Sequence, residues 1–214
     1  MGSTLSVSTL QGLTSGVNAN QVVVPTGHKI IGTDTASVYS PGGILQIQST
    51  TVRTITTVSG VSDPAGAGAN LGLSVSITPK ASGSYFYITC NIGVGSATSG
   101  NTWAIGLFRD STKLSGASGD PYTSDGSHAS GVWFKSIDHA GNNGTDTNHG
   151  VGASGSYLDT TGSTAGTSIT FEARGFAEEG VIRINAVESD YTGVGSGPVS
   201  SRAISTITIM EIAQ

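Results

Sequence analysis

YFYITCNIGVG, residues 85 to 95, alternates. In an extended chain successive side chains point to opposite faces, so Phe86, Ile88, Cys90, Ile92 and Val94 share one side while Tyr85 and Tyr87 take the other. Bulk on both sides is what the central strand of a sandwich needs, because neither of its faces meets bulk water. Outward from this run the same period recurs. Downstream, Trp103, Ile105 and Leu107 alternate within Thr102 to Asp110, after the turn Ser99 to Asn101, and these two runs are expected to be hairpin partners. Upstream, Leu71, Leu73, Val75 and Ile77 alternate until Thr78-Pro79-Lys80 stops the strand. Before them the turn cluster DPAGAG, 63 to 68, follows one long β-branched run, Ile44 to Val61.

The closing third returns to strands at Ser156 to Leu158, Ser168 to Ala173, Val181 to Val187 and Ala203 to Ile212. In the last of these, Ile207 and Ile209 face one way and Ile204, Met210 and Ile212 the other. Helical periodicity is absent, and no short repeat suggests a solenoid. Roughly eight strands at irregular spacing predict an all-β protein, a jelly-roll or Greek-key β-sandwich. Composition agrees: 32 glycines in 214 residues, 11% charged and 36% hydrophobic, describe a turn-rich β chain that collapses.

The segment before this domain differs. VVVPTGHKIIGTDTASVYSPGG, 22 to 43, is a joint with turn chemistry at both ends, Pro25 to Gly27 and Pro41 to Gly43. Residues 1–43 are too few to enclose a core, whereas 44–214 exceed the size at which one domain stands alone. The expectation is an extended N-terminal attachment arm followed by a sandwich. Its weakly alternating Leu5, Val7 and Leu10, with Val22, Val23 and Val24, would be adhesive strands needing a partner surface. A closed homo-oligomer meets that need.

Charge narrows the partners. A net charge of -5 with nine scattered Lys and Arg argues against a nucleic-acid binder, which works through clustered cations. The single cysteine, Cys90, cannot form a disulfide within the chain and reads as a buried core residue. No charged and apolar leader stands at the start, and no run approaches the roughly 20 apolar residues of a membrane helix, so no membrane insertion is expected. Catalytic motifs lack their contexts. Ser154 in GASGS and Ser196 in VGSGP sit among glycines with no helix to follow, and no phosphate-binding loop occurs. The carboxylates Asp138, Asp146, Asp159, Glu172, Glu178, Glu179, Glu188 and Asp190 could pair for glycoside cleavage only at a separation that sequence does not fix. The reading is not an enzyme, with no cofactor.

Two long polar segments remain, Gly116 to Gly126 and Asp138 to Gly155, around the apolar island Val132-Trp133-Phe134. Loops this long in a compact domain tend to be functional or disordered. Tyr122, His128 and Trp133, with Asp138, His139, Asn142, Asn143, Asp146 and His149, are the candidate binding residues: rings that can stack on sugars and amides or carboxylates that can bind hydroxyls. The Asp/Asn/His cluster fits neither a calcium loop nor a zinc motif, and no metal site is assigned.

Several segments carry a resemblance: GHKIIGTDTASVYSPGGILQIQST at 27 to 50, LSVSITPKASGSYFYI at 73 to 88, IGLFRDSTKL at 105 to 114, YLDTTGSTAGTSITFEAR at 157 to 174 and STITIMEI at 205 to 212. In these the chain resembles small virion proteins of tailed bacteriophages of marine bacteria, usually labelled tail-fibre or appendage proteins. The likeness has no counterpart for Gly116 to Gly155. It implies a virion structural protein, a homotrimer whose N-terminal arm meets other virion proteins. The first function implied is a tail fibre or fibre tip that attaches to a host-surface glycan or protein. The alternative is a head fibre or capsid decoration protein, and the third a surface-polysaccharide depolymerase.

Overall fold

A computed structural model describes residues 15, 26, 40–61, 67–96, 102–114, 134–137, 150–186 and 203–214. The chain divides into two compact units, Met1–Val38 and Tyr39–Gln214. The second is all-β, with no helix among the described residues. Its strands are β1 (Ile44–Val52), β2 (Thr56–Val61), β3 (Ala69–Ile77), β4 (Tyr85–Ser96), β5 (Thr102–Arg109), β6 (Thr112–Lys113), β7 (Phe134–Ile137), β8 (Gly150–Asp159), β9 (Ile169–Ile184) and β10 (Ser205–Ile212).

Pairing is antiparallel and nested. β1 pairs with β10, β3 with β9, β4 with β8 and β5 with β7, first strand with last and inward from there. Since β10 also pairs with β4, and β9 with β5, two sheets result: β1-β10-β4-β8 and β3-β9-β5-β7. This nested two-sheet order is a jelly roll. The layers are fastened where the end of β4 pairs with the end of β9, Val94 opposite Ile184 and Ser96 opposite Ile182.

The alternating runs supply the core. Leu71, Leu73 and Ile77 of β3, Phe86 to Val94 at every second position of β4, Ile105 and Leu107 of β5, and Ile207 and Ile209 of β10 are buried as their period predicts. Phe86 and Phe171 meet across the layers with ring centroids 5.3 Å apart. Each such side chain contributes about 1.5–3 kcal/mol by leaving water.

Four expectations from the sequence are corrected. Ile44 to Val61 is not one strand, since Arg53 to Ile55 carry the chain from one layer to the other, β1 pairing with β10 and β2 with β9. A uniform β-branched run contains no mark of that crossing. β4 and β5 are not hairpin partners but lie in opposite sheets, as nesting demands. Ser168 to Ala173 and Val181 to Val187 are not two separate strands, since Ile169–Ile184 is one 16-residue strand, β9. β2 and β3 follow one another along the same side of it, with register shifts where each irregularity falls. Lastly, Gly150 to Gly155 is not loop but the first half of β8, held against Cys90 to Gly95; its glycines and serines concealed a strand.

The sandwich has two unlike ends. At the entry end, where β1 starts and β10 finishes, lie Ser40–Gly43 and the connections 78–84, 110–111 and 160–168. At the far end lie 53–55 and the strand ends that bracket the connections between residues 96 and 102, 137 and 150, and 186 and 203.

Candidate functional site

Buried polar groups close the entry end. Glu211 falls on the inward parity of β10 and is fully buried. Its carboxylate accepts hydrogen bonds from the backbone N–H groups of Lys80 (2.8 Å) and Ala81 (3.2 Å), from Ser84 Oγ (2.7 Å) and from Gln46 Nε2 (2.6 Å). Several donors around one carboxylate offset its loss of water, so the charge holds the 78–84 connection in place. That connection is in turn stitched to the 160–168 connection, Gly83 N donating to Ser163 O (2.8 Å) and Gly166 N to Pro79 O (3.0 Å).

Beside this knot, Asp159 is 1% exposed and accepts from Arg109 Nη1 at 2.7 Å and from the Thr161 N–H at 3.0 Å. Arg109 Nη2 donates to Gly162 O (2.7 Å), and the guanidinium stands 5.7 Å from the Phe86 ring and 5.9 Å from that of Phe171. It therefore lids the apolar core while neutralising Asp159. Burial, and then the Asp159 charge, raise the Tyr157 phenol above its ordinary pKa. An open cleft of about 390 Å³ lies against Arg109, Asp110, Thr161 and Ser163.

At the far end Asn185, fully buried with φ 64°, ends β9. Its side-chain amide donates to Val52 O and Thr54 O, both at 3.0 Å, and its carbonyl oxygen accepts from Ser205 Oγ. This ties the start of the interlayer crossing to both neighbouring strands.

Among the described residues these groups are engaged with one another rather than aimed at a ligand. Of the carboxylates weighed for catalysis, Asp159 is held by Arg109 and Glu172 is ion-paired to Arg174. Ser154 is an ordinary strand residue opposite Asn91. Cys90 is buried, and burial pushes its thiol up to about 12. No group of His, Cys, Asp or Glu able to hold a metal is found among the described residues.

The candidate binding residues Tyr122, His128, Trp133, Asp138, His139, Asn142, Asn143, Asp146 and His149 lie outside the described residues, as do Leu5, Val7, Leu10, Val22, Val23 and Val24. Their brackets are informative. Ile137 and Gly150, on either side of 138–149, both lie at the far end, opposite Thr102 and Gly95. Leu114, before 115–133, lies near the entry end, its N–H bonded to Leu107 O, and Phe134 lies halfway along β5. The two polar segments thus depart from different places. The roles of Arg109, Glu211, Asn185 and Ser205 were missed by sequence reasoning. Only Glu211 left a signal, a charge on the apolar parity of STITIMEI.

No family model and no curated protein sequence matches the chain. Solved structures of infectious bursal disease virus do. The T13 viral particle is 14% identical, covers 87% of this chain and 40% of that chain, with a TM-score of 0.36. The Gx strain is 12% identical, covers 92% and 44%, with a TM-score of 0.35. The VP2 subviral particle is 12% identical, covers 89% and 46%, with a TM-score of 0.26. The chain spans less than half the length of these solved chains. Strand pairing, rather than these likenesses, defines the fold.

Proposed function

We propose that the protein is a structural component of a virus particle, a tail fibre or fibre tip of a tailed phage, which attaches to the host cell surface as a closed homotrimer. The observation that carries this reading is the opposition of the two ends. The chain enters the jelly roll at one end, where Gly42 N bonds to Ala213 O (2.8 Å) and Ala213 N to Gly43 O (2.9 Å). The Asn/Asp/His segment 138–149 is bracketed at the other. An arm directed towards the virion and a recognition surface directed away from it need this polarity. The resemblance of the sequence to phage appendage proteins supplies the viral context. No catalytic step belongs to the reading, and synthesis takes place in the infected bacterium's cytoplasm.

Immunogold electron microscopy of purified virions, with antibody against residues 44–214, tests it. Label at the tail is the expected result. Label on the capsid would replace host attachment by a head-fibre or decoration role, and intact particles without label would sink the virion reading. Exchange of 138–149 for a Gly/Ser linker should leave a folded oligomer whose adsorption is altered.

A further inference from the structure

The outer faces of the two sheets differ. On β5 and β9, Ala104, Phe108 and Phe176 are at most 3% exposed, although they point away from the main core. On the sheet β1-β10-β4-β8 the outer face is open. Register aligns Ile47, Met210, Tyr87 and Leu158 in one row across all four strands. Ile47 is 53% and Leu158 46% exposed. Ile44, Ile212 and Tyr85 make the next row towards the entry end, Ile44 being 57% exposed. Towards the far end come Ser49, Thr208, Thr89 and Ser156, then Thr51, Thr206, Asn91 and Ser154. The hydroxyls of Ser49 and Thr208 already bond to each other at 2.9 Å.

We infer that this face is where copies of the chain meet. It carries no charged side chain in any row, in a molecule of net charge -5. Two copies meeting through a neutral patch bring no like charges into contact, and an apolar band beside hydroxyl rows can be buried without stranding a charge. The size suffices: strands about 4.8 Å apart and about 3.4 Å per residue give four rows on four strands roughly 500 Å² per copy, or about 1,000 Å² for two faces, the lower bound of a specific interface. A closed assembly with this sheet turned to its symmetry axis follows, each copy presenting the same surface. The inference rests on the oligomeric part of the function proposed above and is independent of its viral part.

The test is the mass of the purified full chain by size-exclusion chromatography with light scattering. The wild type is expected at a multiple of 21.4 kDa. Leu158→Asp combined with Ile47→Asp should lower it to a single chain with an unchanged circular-dichroism spectrum. Thr164→Asp, at the entry-end cleft, should leave the oligomer intact. A second readout does not depend on tolerating buried charge. Cys90 is the sole cysteine and is buried, so oxidised Thr208→Cys should give an interchain disulfide that Thr164→Cys does not. A monomeric wild type, or a folded double variant that keeps its mass, would overturn the inference. So would an oligomer crosslinked equally through both cysteines. Virion labelling can succeed or fail whatever the outcome.

Discussion

At the scale of single residues, the most consequential positions are polar groups inside an apolar shell. Glu211 is the clearest: removing its carboxylate leaves the N–H groups of Lys80 and Ala81 without their acceptor. Glu211→Ala should lower stability by about 3 kcal/mol or more in urea unfolding, since hydrogen bonds to a charged group contribute about 1.5–3 kcal/mol each. Cys90 makes the opposite point. It is a small hydrophobe whose thiol, pushed up to about 12 by burial, stays protonated in the folded state. The unfolded thiol ionises from about pH 9, so its contribution is complete below that pH and is lost progressively as pH rises towards 12. Stability should fall by about 1.4 kcal/mol per pH unit across that window relative to Cys90→Ala, and a thiol reagent should react only after unfolding.

At the scale of elements, local chemistry sets the strand junctions. Asp110 and Ser111, with φ 47° and 69°, form the two-residue turn between β5 and β6, a mirror-image turn that favours glycine. Ser111→Gly should therefore stabilise by about 0.5–1 kcal/mol, read as a rise in Tm. Gly93 of β4 serves a close approach: a Cβ there would stand 2.1 Å from Ala203 Cβ. Gly93→Ala should cost about 1–3 kcal/mol, and adding Ala203→Gly should restore most of it, a coupling that a double-mutant cycle measures. The strands themselves were legible wherever one face is apolar, as in Leu71 to Ile77, Phe86 to Val94 and Ile207 to Ile209, because burial imposes the period of two. β8 was half hidden because its outward Gly152 and Ser154 and inward Ala153 differ little in polarity. The pairing of β4 with β8 rather than β5 was not legible, since partner choice depends on the whole stack of strands. Of the site, Asp159 was seen as an acid, but its union with Arg109, 50 residues away in sequence, leaves no local pattern.

At the scale of the whole molecule, the second compact unit carries its own closed core, so a fragment spanning 39–214 should fold by itself. Its thermal transition is expected to be single and within a few degrees of the full chain's, as differential scanning calorimetry would show. Loss of the transition would place part of the folding free energy in residues 1–38. The nested pairing has another consequence, one of timing. β10, the last strand of the jelly roll, is not at an edge but lies between β1 and β4. Until Ile212 has emerged from the ribosome, β1 has no partner and the sheet β1-β10-β4-β8 has a gap through its middle. Such long-range closure makes folding slow and post-synthetic. A message cut short between codons 160 and 205 would yield a chain whose β1 has no partner and whose β4 is paired on one side alone, with β8, so the fold itself distinguishes chains that carry β10 from those that lack it.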